Sequence, residues 1–142
     1  METGVKKDIF DYRPYLKDMM GYFNENFIKL KPYPKVVIDR EPEEGVFVRT
    51  GWYDFDENTV VLKVFGRAPK DVLRSFAHEL IHHNQNIEGR IDSTMIDGTT
   101  LIGENDKVKY LEGLESEAYL KGNIFFRKWT EIAKNKDFNG IK

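Results

Sequence analysis

The chain has 142 residues, enough for one domain spanning 1–142 that buries on the order of two thirds of its unfolded surface. Its 22 Lys and Arg nearly balance 24 Asp and Glu, a net charge of −2, so no global basic field for nucleic acid is expected. There is no cysteine, which excludes a disulfide framework and a thiolate metal site and leaves His and carboxylate side chains as metal ligands. No apolar run approaches the ~20 residues that cross a bilayer. The first residues, Met-Glu-Thr-Gly-Val-Lys-Lys-Asp, lead into no uninterrupted apolar core, so neither a membrane partner nor a signal peptide is expected.

In chain order, residues 8–28 read as a helix. Ile9, Tyr12, Leu16, Met19, Met20, Phe23 and Phe27 fall at helical spacing, and Pro14 sits in the first turns, where proline does least harm. Lys31-Pro32-Tyr33-Pro34 ends it and leads into extended chain. Val36-Val37-Ile38-Asp39 is a short β-branched run, hence a strand. An acidic turn, Glu41-Pro42-Glu43-Glu44-Gly45, precedes a second short strand over 46–50. Residues 51–55 and 59–65 flank Asp56-Glu57-Asn58 and predict a hairpin. The linker 66–70 then opens a second helix, with Pro69 in its first turn and Asp71 placing negative charge near its N-terminus.

That helix carries His78-Glu79-Leu80-Ile81-His82-His83, which holds every histidine in the chain. Positions i and i+4 share a helix face, so His78 and His82 can offer two imidazole nitrogens to one Zn²⁺. Glu79 adjoins the first ligand without coordinating, the position of the general base in zinc peptidases. A pattern of five residues can arise by chance, but its setting is that of a half-buried site. Leu73, Phe76, Ala77, Leu80 and Ile81 form an apolar stripe at spacings of 3 and 4, and both histidines border it. Asn84 to Arg90 ends the helix. Residues 91–106 are polar and aperiodic, a loop expected near the site. Helical spacing returns over 107–134, with Leu111, Leu114, Ala118, Ile124, Phe125, Trp129 and Ile132 on the apolar side.

A third ligand must be a carboxylate. Glu88 falls where a third histidine stands in His-Glu-x-x-His-x-x-Gly-x-x-His, but Gln85 replaces the glycine that makes the turn, and Asp92 is weaker still. Glu115 shares a face with Leu111, Ala118, Gly122, Phe125 and Trp129. That face is otherwise apolar, and an inward carboxylate needs a metal or a charged partner. Ala118 and Gly122 are small enough for another helix to approach closely. Glu117 is turned roughly 200° away, beside Lys121, and reads as solvated, while Glu112 points elsewhere. Glu115 is therefore the preferred third ligand.

His78-Glu79-x-x-His82 with a downstream helical glutamate resembles the gluzincin zinc peptidases. Glu115-x-x-Ala118 is similar to the third-ligand helix of compact members of that group. Residues 50–85, with Gly51-Trp52-Tyr53-Asp54 and Gly66-Arg67-Ala68-Pro69-Lys70, together with 115–129, resemble small zinc-peptidase-like proteins encoded by tailed phages. The resemblance covers about half the chain. It implies a peptide or protein substrate and a cytoplasmic place of work in an infected cell, or association with the virion. In relatives the position four after the ligand glutamate is often Asp or Asn, which can orient a ligating histidine; here it is Tyr119.

The expected chemistry is hydrolysis of a peptide or amide bond. His78, His82 and Glu115 hold zinc, and Glu79 moves the proton. His83, Tyr119 and Tyr110 are candidate donors to the developing oxyanion. Strand 59–65 offers an edge for an extended peptide. The alternative is a non-catalytic phage accessory or virion protein whose zinc only staples helices. The oligomeric state is not legible. The expected fold is α+β: a small antiparallel sheet of about four strands packed against an N-terminal helix, the His-Glu-x-x-His helix and a C-terminal third-ligand helix, a minimal zincin-like domain.

Overall fold

Thr59–Lys63 (β3) is the axis of the fold. Its alternation places Val60 and Leu62, both fully buried, on the face that the helices cover. A computed structural model describes residues 10–42, 50–91 and 104–135, with the side chains of 104, 105 and 135 excepted. Within them run α1 (Arg13–Asn26), β1 (Lys35–Asp39), β2 (Gly51–Asp54), β3, α2 (Pro69–Ile87) and α3 (Glu104–Asn135). The fold is α+β, as expected.

The sheet differs from the expectation of about four antiparallel strands. Among the described residues it has three strands in the order β1-β3-β2, and it is mixed. β2 and β3 form the antiparallel hairpin, with Asn58 in the left-handed region at φ 50° closing the turn. β1 instead lies parallel to β3, Lys35 opposite Thr59 and Asp39 opposite Lys63. The physical reason is that β1 and β2 are consecutive but not neighbours. The hairpin inserts β3 between them, and a strand beside β3 that enters from the same end must run parallel to it. Lys63 and Asp39 seal that pairing with an ion pair at 2.9 Å. Of the expected strand over 46–50, residues 46–49 lie outside the described residues and Thr50 is not in a strand.

Among the described residues, α2 packs directly on β2 and β3, while α1 and α3 pack on α2 and on each other around the same core. α1 begins at Arg13, later than expected, and its apolar stripe of Leu16, Met19 and Phe23 is buried. Residues 8 and 9 lie outside the described residues. α2 starts at Pro69 and buries Val72, Leu73, Phe76, Ala77 and Leu80 in the common core. α3 adds Phe126, Trp129 and Ala133, and its Phe125 stacks on Phe27 with centroids 4.2 Å apart. The Arg67 guanidinium fixes α2 to the sheet. It donates to the carbonyls of Thr50, Lys63 and Asp71 and to Ser75 Oγ. No helix among the described residues is long and apolar enough to cross a membrane.

α2 ends at Ile87, within the stretch 84–90 expected to end it. It closes with Gly89 at φ 75°, whose amide bonds the Asn86 carbonyl while that of Arg90 bonds the Gln85 carbonyl. This turn sends Arg90 back towards α3.

α3 crosses α2 at very short range. A Cβ added at Gly122 would lie 3.1 Å from His78 Cα and 3.3 Å from His78 N, both backbone atoms that cannot swing aside. Replacing Gly122 with Leu is therefore expected to force the helices apart and cost about 2 kcal/mol or more. Thermal or urea unfolding checks this, and a variant as stable as wild type would show that the helices tolerate a wider spacing.

Candidate metal centre

α2 is helical through its motif, so His78 and His82 stand one turn apart on one face, ring centroids 5.0 Å from each other. The close crossing at Gly122 brings α3 over them and delivers Glu115. Its Oε1 lies 2.6 Å from His78 Nε2 and 3.4 Å from His82 Nε2. One ligating atom from each of the three residues falls within 4.8 Å of the others, a set that could hold a metal ion. The three ligands preferred from sequence are thus brought together.

The donor chemistry suits a divalent cation. Burial, reinforced by the neighbouring His82, pushes the His78 pKa down and leaves that imidazole a neutral donor. The hydrogen bond from His82 holds the Glu115 carboxyl below its ordinary range despite partial burial. Burial alone would lower the His82 pKa, but its bonds to Glu115 and Gln85 and the charge of Glu79 raise it on balance. Without a metal, the proton shared with Glu115 occupies the place that a cation would take.

The tautomer of His82 follows from Gln85, which is wholly buried. The Gln85 amide nitrogen donates to the Leu114 carbonyl at 2.9 Å and to Glu117 Oε1 at 2.7 Å. Both its protons are then committed, and its oxygen is the atom 2.9 Å from His82 Nδ1. A carbonyl oxygen only accepts, so Nδ1 carries the proton and Nε2 is directed at the metal position. Glu117 anchors the amide in turn. It is ion-paired to Arg90 at 2.8 Å and to Lys121 at 2.7 Å. Burial would raise its pKa, but bonds from Lys121, Gln85 and Arg90 hold it down at about 2. Glu117 lies beside Lys121, as expected, and pairs with it. Its solvated reading does not hold: the side chain is largely covered and sits behind His82. Gln85 is the residue that sequence reasoning missed, seen only as a lost glycine. Its signal was its place one turn after His82, within hydrogen-bond reach on the same face.

The three donors border an open cleft of about 710 Å³ between α2, α3 and β2. Glu79 lines it too, with its side chain largely buried, and burial pushes its pKa up to about 7. Tyr119 also lines the cleft, its ring 4.5 Å from that of His78.

His83 does not reach the cleft. It is fully buried on the other side of α2, with Nε2 facing the carbonyls of Leu30 and Pro32 at 3.1 and 2.8 Å and Nδ1 2.7 Å from the Tyr53 hydroxyl. Two carbonyls can only accept, so Nε2 is protonated and Nδ1 accepts the hydrogen bond that the Tyr53 hydroxyl donates. Burial favours this neutral ring and pushes the Tyr53 pKa up to about 12. His83 is a tie between α2 and the chain ahead of β1, not an oxyanion donor. Tyr110 is likewise occupied, donating to the Arg90 carbonyl. Glu88 pairs with Arg90, Glu112 is exposed, and Asp92 lies outside the described residues. β3, expected to offer an edge to substrate, is the central strand; the strand whose residues line the cleft is β2, through Gly51, Trp52 and Tyr53.

No family model matches the chain, and comparison with the curated proteins and with the solved structures found no match. The functional reading therefore rests on the geometry of this site.

Two outcomes follow. Replacing Gln85 with Leu removes the acceptor that fixes His82 and is expected to weaken divalent metal binding about 10- to 100-fold in a calorimetric titration. Unchanged affinity would mean that Gln85 does not orient the ring. The folded protein keeps Glu117 ionised down to about pH 2, whereas the unfolded chain takes up that proton near 4.5. Its stabilising contribution is thus complete above pH 4.5 and lost as pH falls through that window. Urea melts at a series of acid pH values should show a shallower decline in Glu117→Gln than in wild type.

Proposed function

We propose that this protein is a zinc-dependent peptidase or amidase with gluzincin-like chemistry. The observation that carries the reading is the convergence of His78, His82 and Glu115, within 4.8 Å, beside a buried Glu79 on the wall of an open cleft. Two imidazoles and one carboxylate are a donor set that zinc accepts, and the open side of the cleft leaves access to a further position. A metal that only stapled helices would need no such opening and no adjacent acid.

When bound, zinc supplies Lewis acidity, polarising a carbonyl and lowering the pKa of a water towards ~7. The chain's own residues do the rest. Glu79, whose pKa burial pushes up to about 7 in the metal-free protein, is placed to accept a proton from water and return it to the leaving amine. Gln85 and Glu117 hold His82 in the ligating tautomer. The Tyr119 hydroxyl is the remaining candidate donor to the oxyanion. β2 is an outer strand among the described residues, the one beside the cleft, and can pair with an extended peptide through its main chain.

Elemental analysis of protein purified without a metal-affinity tag tests the site. One zinc per chain is expected in wild type and loss of it in Glu115→Ala. Glu79→Gln should keep the metal and lose hydrolysis by about 10²- to 10⁴-fold. Full activity in that variant would refute the mechanism, and wild type that takes up no zinc would remove its basis.

A further inference from the structure

A second hollow, of about 270 Å³, lies beside the main cleft, towards the start of α2. It is lined by Lys70, Arg74, Asn123, Phe126, Arg127 and Thr130. Arg74 and Asn123 also line the main cleft, so the two spaces share a wall. Among the described residues the hollow presents three cations and no carboxylate.

Arg74 is preorganised there. Its guanidinium lies 5.2 Å over the Phe126 ring, which holds it by a cation–π contact. Its pair with Asp71, 3.1 Å long and exposed on both sides, constrains it weakly and leaves its donors able to exchange partners. The cleft is therefore electrically asymmetric. Glu79 and Glu115 stand at the metal end, Arg74 on the wall shared with the hollow, and Lys70 and Arg127 in the hollow beyond it.

The spacing sets a register. Arg74 and Lys70 precede His78 by four and eight residues, about 6 and 12 Å along the helix axis. An extended peptide advances about 3.3 Å per residue. Resting on the peptidase reading, we propose that the cleft selects peptides with an acidic group about two to four residues from the bond held at the metal centre. The carboxylate is that of an Asp or Glu side chain or of the peptide's own C-terminus. Arg74 receives it as a two-pronged donor, with Lys70 and Arg127 adding charge. A single small hollow in a chain of net charge −2 fits one carboxylate rather than a run of phosphates.

The test uses zinc-loaded Glu79→Gln protein and three fluorescein-labelled hexapeptides, read by fluorescence anisotropy. One carries an internal Glu and an amidated C-terminus. The second has Gln in its place, and the third has Gln with a free C-terminal carboxylate. At least one acidic peptide is expected to bind about tenfold more tightly than the neutral one, and which one does so identifies the source of the carboxylate. The preference should shrink as salt is raised and fall to near parity in Lys70→Gln/Arg74→Gln/Arg127→Gln, whose three changes are at exposed positions. Equal binding of all three peptides, no binding of any, or a preference that survives the triple substitution overturns the proposal. Cleavage of the same peptides by wild type is measured alongside. Cleavage without acidic preference defeats this inference alone, whereas acidic preference without cleavage supports it and defeats the peptidase reading alone.

Discussion

Everything at the candidate site hangs on the absence of a side chain at Gly122. Two helices ordinarily pack 8–10 Å apart, separated by the side chains between them. Here α3 meets the backbone of α2 at His78 so closely that even a methyl group would press on it more tightly than ordinary contact allows. Ala118, fully buried one turn away, continues the same seam. Glu115 is one further turn along, and its carboxylate spans the short remaining gap to both imidazoles. With a bulky residue at the crossing, the same three side chains would exist without a common centre. The glycine costs α3 some helical stability, on the order of 1 kcal/mol relative to Ala. What it supplies is distance, which no amount of helix propensity can replace.

A second constraint follows from the first. Bringing His78, Glu79, His82 and Glu115 together buries polar atoms, and buried polar atoms need partners. The protein meets this with two separate networks, one on each side of α2. Behind the cleft, Arg90 and Lys121 hold Glu117, Glu117 and the Leu114 carbonyl hold Gln85, and Gln85 holds His82. On the sheet side, His83 joins the Tyr53 hydroxyl to the carbonyls of Leu30 and Pro32. The first network directs a ligand. The second fixes the helix that carries it. No buried side-chain nitrogen or oxygen among the described residues lacks a partner.

How much of this was legible in the sequence differs by level. The helices were, because a stripe such as Leu73, Phe76, Ala77, Leu80 reports its period directly. The candidate ligands were, because i and i+4 on a helix dictate which side chains can meet, and because Glu115 interrupts an otherwise apolar face. The order and direction of the strands were not. Val36-Val37-Ile38 and Thr59-Val60-Val61-Leu62 are equally apolar runs, and nothing within either states its neighbour or whether the two lie parallel. The role of His83 was hidden for a related reason. Its partners, Leu30, Pro32 and Tyr53, lie 30 to 53 residues earlier. Periodicity records which way a residue points on its own helix but not what it meets there.

The same limit separates the roles of His82, His83 and Gln85. A helix turns about 100° per residue, so His82 faces the cleft while His83 faces the sheet. Two imidazoles adjacent in sequence thus enter different environments. His82 is coupled to carboxylates that favour its charged or metal-bound form. His83 is enclosed by carbonyls and a phenol that keep it neutral. Gln85, one turn beyond His82, returns to the cleft side, and its two-sided amide settles which nitrogen of His82 is left for a cation. A histidine in its place could not serve both His82 and Glu117 so definitely, since a ring can exchange tautomers. The amide offers an acceptor to one neighbour and donors to the other, and reversing it would set donor against donor at His82 and oxygen against oxygen at Glu117.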